Sequence, residues 1–167
     1  MRKKDLLALI QPLLPRFHAL GLCLLPDDLQ AQQLVIDALT LCLLKEKKQW
    51  REREWIEDNK KTQLHLRRLF MKSMVGHMVD LGVKRASQLW ATLPDVEIVR
   101  DHPQFYQLET RTRAVAWLRF NQGWNMDEIE RVLGLKRFEL VEKIHNARFL
   151  MLSQPPLWKR KAVEANA

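Results

Sequence analysis

The sequence is poor in the residues that build sheets, tight turns and cross-links. Its 167 residues include five glycines, one tyrosine and two cysteines. A β-rich fold needs many turn residues and many β-branched or aromatic residues, so this shortage argues against a sheet. Leu, Lys, Glu, Gln and Arg dominate instead, and these residues favour helices. The composition therefore predicts an all-α protein.

Motifs that carry catalytic or metal chemistry are also missing. Cys23 and Cys42 stand nineteen positions apart, form no CxxC pair and have no histidine at ligand spacing, so we expect two buried, reduced thiols. The five histidines form no HExxH motif, and no GxGxxG, GxxxxGK[ST] or GxSxG sequence occurs. No catalytic, cofactor-binding or metal-binding residue is predicted, and the protein is not expected to be an enzyme.

The sequence also lacks a long apolar run. No uncharged stretch approaches the roughly 20 residues that a membrane-spanning helix requires. The start has basic residues before an apolar stretch, as a signal peptide does, but no small-residue cleavage site follows. Five residues interrupt that stretch: Gln11, Pro12, Pro15, Arg16 and His18. We therefore expect a cytoplasmic protein without a membrane partner.

What the chain has in excess is positive charge. Its formal net charge is +8 and its pI is about 9.8, which favours polyanionic partners, because binding a phosphate releases condensed counterions. Hydrophobic residues make up 47% of the chain and charged residues 29%. That balance is typical of a folded protein, and the length fits two small helical modules.

Apolar residues in the amino-terminal part recur at three- and four-residue steps, as on one face of a helix. The first such segment, residues 6–20, is expected to be interrupted or kinked by Pro12 and Pro15. A turn and a helix N-cap are predicted at residues 26–28, before a second helix that ends near residue 44.

The next part of the chain is strongly charged. Residues 45–61 mix both signs, which is typical of a solvated helix or loop. Trp50 and Trp55 within this segment are interpreted as partly buried anchors or, alternatively, as aromatics that stack on an unpaired base. A third helix is predicted from Leu64 to Leu81, with Gly82 as its C-cap.

The carboxyl-terminal part has the layout of a helix-turn-helix. A helix over residues 105–122 is followed by a turn, a short helix Met126–Leu133, and a longer helix Lys136–Leu152. Asn125 and Glu128 are spaced as in a capping box, in which two side chains satisfy exposed backbone N–H groups.

Residues 123–152, GWNMDEIERVLGLKRFELVEKIHNARFLML, resemble the promoter-reading module of bacterial sigma-70-type factors, especially the small extracytoplasmic-function group. The resemblance is carried by Gly123, Glu128-Ile129, Leu133-Gly134-Leu135, Leu140 and Ala147-Arg148. Residues 31–37, AQQLVID, are similar to the helix by which that family grips the polymerase clamp. Together, the two similar parts occur in the same order as in that family, and the resemblance spans about residues 5–152.

The resemblance implies a division into two small helical modules. A sigma region-2-like domain would occupy residues 1–93, and a sigma region-4-like helix-turn-helix residues 105–152. The proline-bounded segment 94–104 would be the linker, and residues 153–167 a basic flexible tail.

The function it implies is a sigma-factor-like transcription initiation protein that binds RNA polymerase core and double-stranded promoter DNA without a cofactor. An anti-sigma factor is a further candidate partner. The implied polymerase contacts are Gln33, Leu34 and Asp37. The implied DNA contacts are Lys136, Arg137, Glu139 and Lys143 in the major groove, and Arg67, Arg68 and Lys72 at the melted element.

Several residues depart from the family pattern. Glu130 replaces a small alanine where two helices cross closely, so it must bend outward or be paired. Glu139, Val141 and Glu142 occupy positions that are often polar or basic. An acid can accept a hydrogen bond from cytosine, but it opposes the phosphate field.

These departures leave other functions open. The helix-turn-helix could be retained for protein binding, and Arg67, Arg68 and Lys72 could form a solvated helix face. The alternative is a diverged sigma-like regulator that binds polymerase or an anti-sigma factor without reading a promoter. A third hypothesis is a free-standing DNA-binding regulator, whose dimerisation element the sequence does not reveal.

Overall fold

The computed structural model describes residues 10–45, 60–89 and 93–152, and within these segments every regular element is helical. After a 3₁₀ turn at Gln11–Leu13, the α-helices are α1 Leu14–Leu24, α2 Asp28–Lys45, α3 Lys60–Leu89, α4 Glu97–Asp101, α5 Pro103–Gln107, α6 Thr110–Ala116, α7 Met126–Leu133 and α8 Arg137–Leu152. A π-helical stretch, Trp117–Asn121, continues α6. The all-α prediction is confirmed for the described part of the chain.

Helix α2 begins at the predicted N-cap, whereas α1 begins at Leu14, at the predicted proline interruption of the segment 6–20. Pro12 and Pro15 lie in the first turns of the 3₁₀ element and of α1, where a missing N–H costs no helical hydrogen bond. The Asp27 carboxylate accepts a hydrogen bond from the Gln30 N–H at 2.8 Å and so caps α2. Trp50, Trp55 and the tail 153–167 lie outside the described residues.

The prediction that Gly82 ends the third helix is wrong, because α3 continues to Leu89. A Cβ atom on Gly82 would lie 2.9 Å from Leu24 Cδ1. The glycine is therefore needed for the close approach of α1 to α3. The single helix predicted over residues 105–122 is also wrong, since the chain is not helical at Leu108 and Glu109.

One hydrophobic core connects residues on both sides of the segment 94–104. Phe17, Phe70 and Met74 share a cluster with Leu118 and Leu140. Helices α1 and α3 both pack on α6, and α3 also packs on α7. The predicted linker contains α4 and the start of α5. The two predicted modules are thus joined by packing, in addition to the segment between them.

Arg113, on α6, is the buried centre of this junction, with 3% of its surface exposed. Its Nε donates to the Cys23 carbonyl at 2.8 Å, and one terminal nitrogen donates to the Leu24 carbonyl at 2.9 Å. The remaining donors reach the carbonyls of Tyr106 and Leu108 and the hydroxyl of Thr110 at 3.0–3.1 Å. All five guanidinium N–H groups therefore have acceptors.

These bonds complete the carboxyl end of α1. A helix leaves its last four carbonyls without intrahelical partners. In α1, Leu25 N–H reaches Gly21 at 2.8 Å, the Tyr106 hydroxyl reaches Leu22 at 3.0 Å, and Arg113 takes the last two. The partial negative charge of the helix end also stabilises the guanidinium.

Burial shifts the pKa values of Arg113 and of the nearby Cys23 thiol. Burial lowers the pKa of Arg113, although nearby groups oppose that change. Burial raises the pKa of the Cys23 thiol to about 12, against the opposing charge of Arg113. Cys23 and Cys42 are both buried, and neither forms a disulfide, as the sequence predicts.

Candidate functional site

Local hydrogen bonds build the α7–α8 helix pair. The Asn125 side chain accepts from the Glu128 N–H at 2.9 Å, and the Glu128 carboxylate accepts from the Asn125 N–H at 3.4 Å. Gly134 ends α7 with φ +61°, a conformation that glycine adopts at little cost. The carboxylate of Glu139 accepts from the Lys136 N–H at 2.7 Å. The predicted helices and the capping box are confirmed.

Glu128 also fixes α7 to α3. Its carboxylate is paired with Arg68 and lies 3.1 Å from Lys72 Nζ, and the residue is buried. Burial alone would raise the pKa of Glu128, but the hydrogen bonds from Arg68, Lys72 and Asn125 bring it down to about 2. Two of the three amino-terminal cations assigned to DNA therefore share one carboxylate, although the Arg68 side chain stays 64% exposed.

Replacing Glu128 by glutamine should lower the free energy of unfolding by about 2 kcal/mol at pH 7, because two cations lose their carboxylate partner. The pKa of about 2 in the folded state lies below the ordinary value. The stabilisation is therefore complete above about pH 5 and is lost as the pH falls toward 2. Urea denaturation should show a smaller difference between wild type and variant at pH 3 than at pH 7. An equal difference at both pH values would contradict this, and exposed Glu97→Gln is the control.

Arg137, one of the implied DNA contacts, is paired with two acids of α7. It is paired with Asp127, and its Nε lies 2.8 Å from the Glu130 carboxylate. Glu130 is thus paired, one of the two outcomes expected where the family usually has alanine. Both carboxylates would therefore lie close to any phosphate or base that Arg137 contacted.

Lys143, the candidate phosphate contact, is also paired. Its ammonium lies 2.6 Å from the Glu109 carboxylate, at the rim of an open cleft of about 390 Å³ between α8 and the start of α6. Burial alone would raise the pKa of Glu109, but the hydrogen bond and charge of Lys143, aided by Thr112 and Arg111, lower it. The pair joins α8 to α6.

The side of α8 that faces away from the core is apolar and acidic. Phe138 and Phe149 are 66% and 68% exposed, and Val141 is 51% exposed. Glu142 and His145 lie between them on the same side of the helix and are exposed. We call these five residues the outer face of α8. The sequence resemblance predicts a DNA-contacting helix here and does not predict this face. The signal for it is nevertheless present in the sequence, because the five residues recur at the three- and four-residue spacing of one helix face.

The three residues assigned to the polymerase clamp have different environments on α2. Leu34 is fully buried in the core, so it cannot contact a partner in the folded protein. Asp37 is paired with Arg85 of α3 and accepts from the Gln33 side chain at 2.9 Å. The exposed apolar residue nearest to them on α2 is Ile36.

Positive charge is concentrated on α3. That helix carries seven basic residues and one acidic residue, whereas residues 93–152 carry nine of each. Among the remaining DNA candidates, Lys136 is exposed. The Nε of Arg67 is buried and has no hydrogen-bond partner among the described residues. The helix-turn-helix of residues 105–152 carries eight basic and six acidic residues. Its net charge is only +2, so most of the positive charge of the chain lies elsewhere.

In the described residues no group of three or more His, Cys, Asp or Glu side chains could hold a metal ion, and no described helix is long and apolar enough to cross a membrane. Comparisons of the chain with protein-family models, curated proteins and solved structures found no match.

Proposed function

We propose that this protein is a sigma-like transcription regulator that acts by binding other proteins and does not read promoter DNA. The observation that carries the proposal is the state of α8. Its two central candidates for DNA contact, Arg137 and Lys143, are paired with acids of the same chain. The surface it exposes includes three large apolar residues, Phe138, Val141 and Phe149, with acidic Glu142 among them.

The chemistry of that surface fits a protein better than DNA. Aromatic residues supply much of the energy in protein interfaces, whereas DNA binding depends on cations that neutralise phosphates. A carboxylate at Glu142 would repel the DNA backbone. Each of the cations Arg137 and Lys143 has a carboxylate beside it, which reduces its electrostatic attraction for a phosphate.

The proposed binding surface for RNA polymerase core is the exposed side of α2, where the sigma resemblance implies a clamp contact. Gln33 and Ile36 are exposed there, while Asp37 is shared with Arg85. Reversing the charge of Asp37 would also disturb that ion pair. Ile36→Glu is therefore a cleaner test of polymerase binding than Asp37→Lys.

Promoter binding is the second candidate function, and the seven basic residues of α3 favour it. Arg68 and Lys72 are engaged by Glu128, and Arg85 by Asp37. Lys84 is exposed. A DNA duplex held by this helix would be recognised without base contacts from α8.

The proposal predicts that Arg137→Ala leaves DNA binding unchanged. Fluorescence anisotropy should be measured on promoter-length duplexes across a salt series, with and without RNA polymerase core. We expect affinities within twofold of wild type and an unchanged salt slope in both conditions. The pair of Arg137 with Asp127 is exposed and worth little to folding, whereas the Glu130 side chain is largely buried. Circular dichroism of the variant should therefore accompany the titration. Exposed Arg100→Ala serves as the matched control.

A bidentate base contact is worth about 1–3 kcal/mol. A loss of this size in specific affinity for Arg137→Ala, but not for Arg100→Ala, would overturn the proposal and establish promoter reading.

A second measurement concerns α2: Ile36→Glu should weaken the binding of the protein to polymerase core. Failure of wild-type protein to bind core would remove polymerase as the partner of α2.

A further inference from the structure

The outer face of α8 has two aromatic residues at matched positions. Phe138 and Phe149 are separated by eleven residues, which is three helical turns and about 16 Å along the axis. They therefore lie on the same side of the helix, and both are about two-thirds exposed. Within the described part of the chain nothing covers them. Exposed aromatic residues grouped on one face indicate an interaction surface.

The charged residues between them have a self-complementary order. The midpoint between Phe138 and Phe149 also lies midway between Glu142 and His145. A twofold rotation about an axis that passes through this midpoint, perpendicular to the helix, exchanges the positions of the two phenylalanines. The same operation places the carboxylate where the imidazole was and the imidazole where the carboxylate was.

We propose that a second copy of this chain binds the outer face, with the two α8 helices antiparallel about a twofold axis. Phe138 would pack against Phe149 of the second copy, and Glu142 would meet His145 of the second copy, twice in each dimer. The inference rests on the proposed function in one respect, namely that the outer face binds protein. A twofold dimer uses the same patch on both copies, and this patch meets that requirement.

The antiparallel orientation is selected by charge. A parallel pair would set Glu142 against Glu142 of the second copy, two like charges in an apolar interface. Such an arrangement is costly. In the antiparallel pair each carboxylate faces an imidazole, which donates a hydrogen bond whether it is neutral or protonated. The dimer would also cover the helix that otherwise enters a DNA groove, so dimerisation and groove binding by α8 would exclude each other.

Sedimentation analysis of the full chain over a concentration series tests the dimer. Phe149→Glu should raise the dimer dissociation constant at least tenfold, because it buries a charge opposite Phe138. Leu64→Glu, at another exposed apolar residue on α3, should leave the constant unchanged. Glu142→Lys and His145→Glu should each weaken the dimer, and the double substitution should restore it, because it exchanges the two charges.

Cross-linking tests the orientation. When Phe138→Cys and Phe149→Cys proteins are mixed, disulfides should form between the two variants. Each variant alone should stay uncross-linked, because the same position in the two antiparallel helices is about 16 Å apart. Cys23 and Cys42 are buried and should not react. Cross-linking of each single variant with itself would overturn the antiparallel arrangement.

The two proposals fail in different ways. If the chain stays monomeric over a 100-fold range of protein concentration, the dimer proposal is overturned. If its DNA binding is also independent of Arg137, the proposed protein-binding function still stands. A monomer whose DNA binding requires Arg137 would overturn both. If Phe149→Glu and Leu64→Glu raise the dimer dissociation constant equally, the outer face is not the interface.

Discussion

Replacing Arg113 by alanine should cost about 3–5 kcal/mol of folding free energy, the largest effect we expect from any single substitution. The change removes five hydrogen bonds at once. It leaves the buried carbonyls of Cys23, Leu24, Tyr106 and Leu108 without that donor, and unsatisfied buried polar groups are expensive. Small domains have only about 5–15 kcal/mol of total stability, so the variant should lose a large part of it and unfold at a much lower denaturant concentration than wild type.

Two further variants make this measurement specific. Arg111→Ala changes a residue on the same helix whose guanidinium lies 3.6 Å from exposed Asp80, and it should cost less than 1 kcal/mol. Arg113→Lys keeps the charge but cannot form the planar set of five bonds, so it should remain strongly destabilised. Chemical denaturation followed by circular dichroism measures all three. If Arg113→Lys were as stable as wild type, charge alone would matter and the hydrogen-bond account would be wrong.

The second large effect is expected at Gly21, where α1 crosses α2. A Cβ atom there would lie 3.0 Å from the Ala31 carbonyl oxygen and 3.1 Å from the Ala31 Cβ. These atoms belong to α2 and cannot turn away as a flexible side chain could. Gly21→Val should therefore cost about 3 kcal/mol through overpacking, and Gly21→Ala should destabilise in the same direction by about 1–2 kcal/mol.

Gly76 provides the matched control on α3. Its nearest neighbour for an added Cβ is the Val132 carbonyl oxygen at 3.4 Å, an ordinary contact. Alanine favours a helix over glycine by about 1 kcal/mol, so Gly76→Ala should be neutral or stabilising in thermal melts. If Gly21→Ala were equally benign, the close crossing of α1 and α2 would not be required for stability.

Features set by neighbouring residues could be predicted from the sequence. The capping box of Asn125 and Glu128, the turn at Gly134 and the Asp27 cap all depend on residues within a few positions. Helical periodicity likewise predicts α2, α7 and α8. The sequence does not reveal the role of Gly82, because a helix-ending glycine and a glycine that allows close packing look alike in one sequence. Their difference lies in Leu24, far away along the chain.

The candidate site was harder to predict for the same reason. Arg137 and Lys143 lie on the correct helix, but the acids that engage them come from α7 and from the start of α6. The sequence shows charges and does not show which are paired across the fold. Arg113 is a stronger case, because nothing in its local sequence distinguishes it from Arg111. Only the packing of α6 against α1 decides which arginine is buried.

The completed end of α1 also constrains how the chain folds as it is synthesised. The bonds from Arg113 to Cys23 and Leu24 span 90 and 89 positions, and the bond from Tyr106 to Leu22 spans 84. At a synthesis rate of about 5–20 residues per second, helix α1 waits several seconds for these donors. Until then three of its carbonyls must be satisfied by water. The amino-terminal helices therefore reach their final packing only after α6 has left the ribosome.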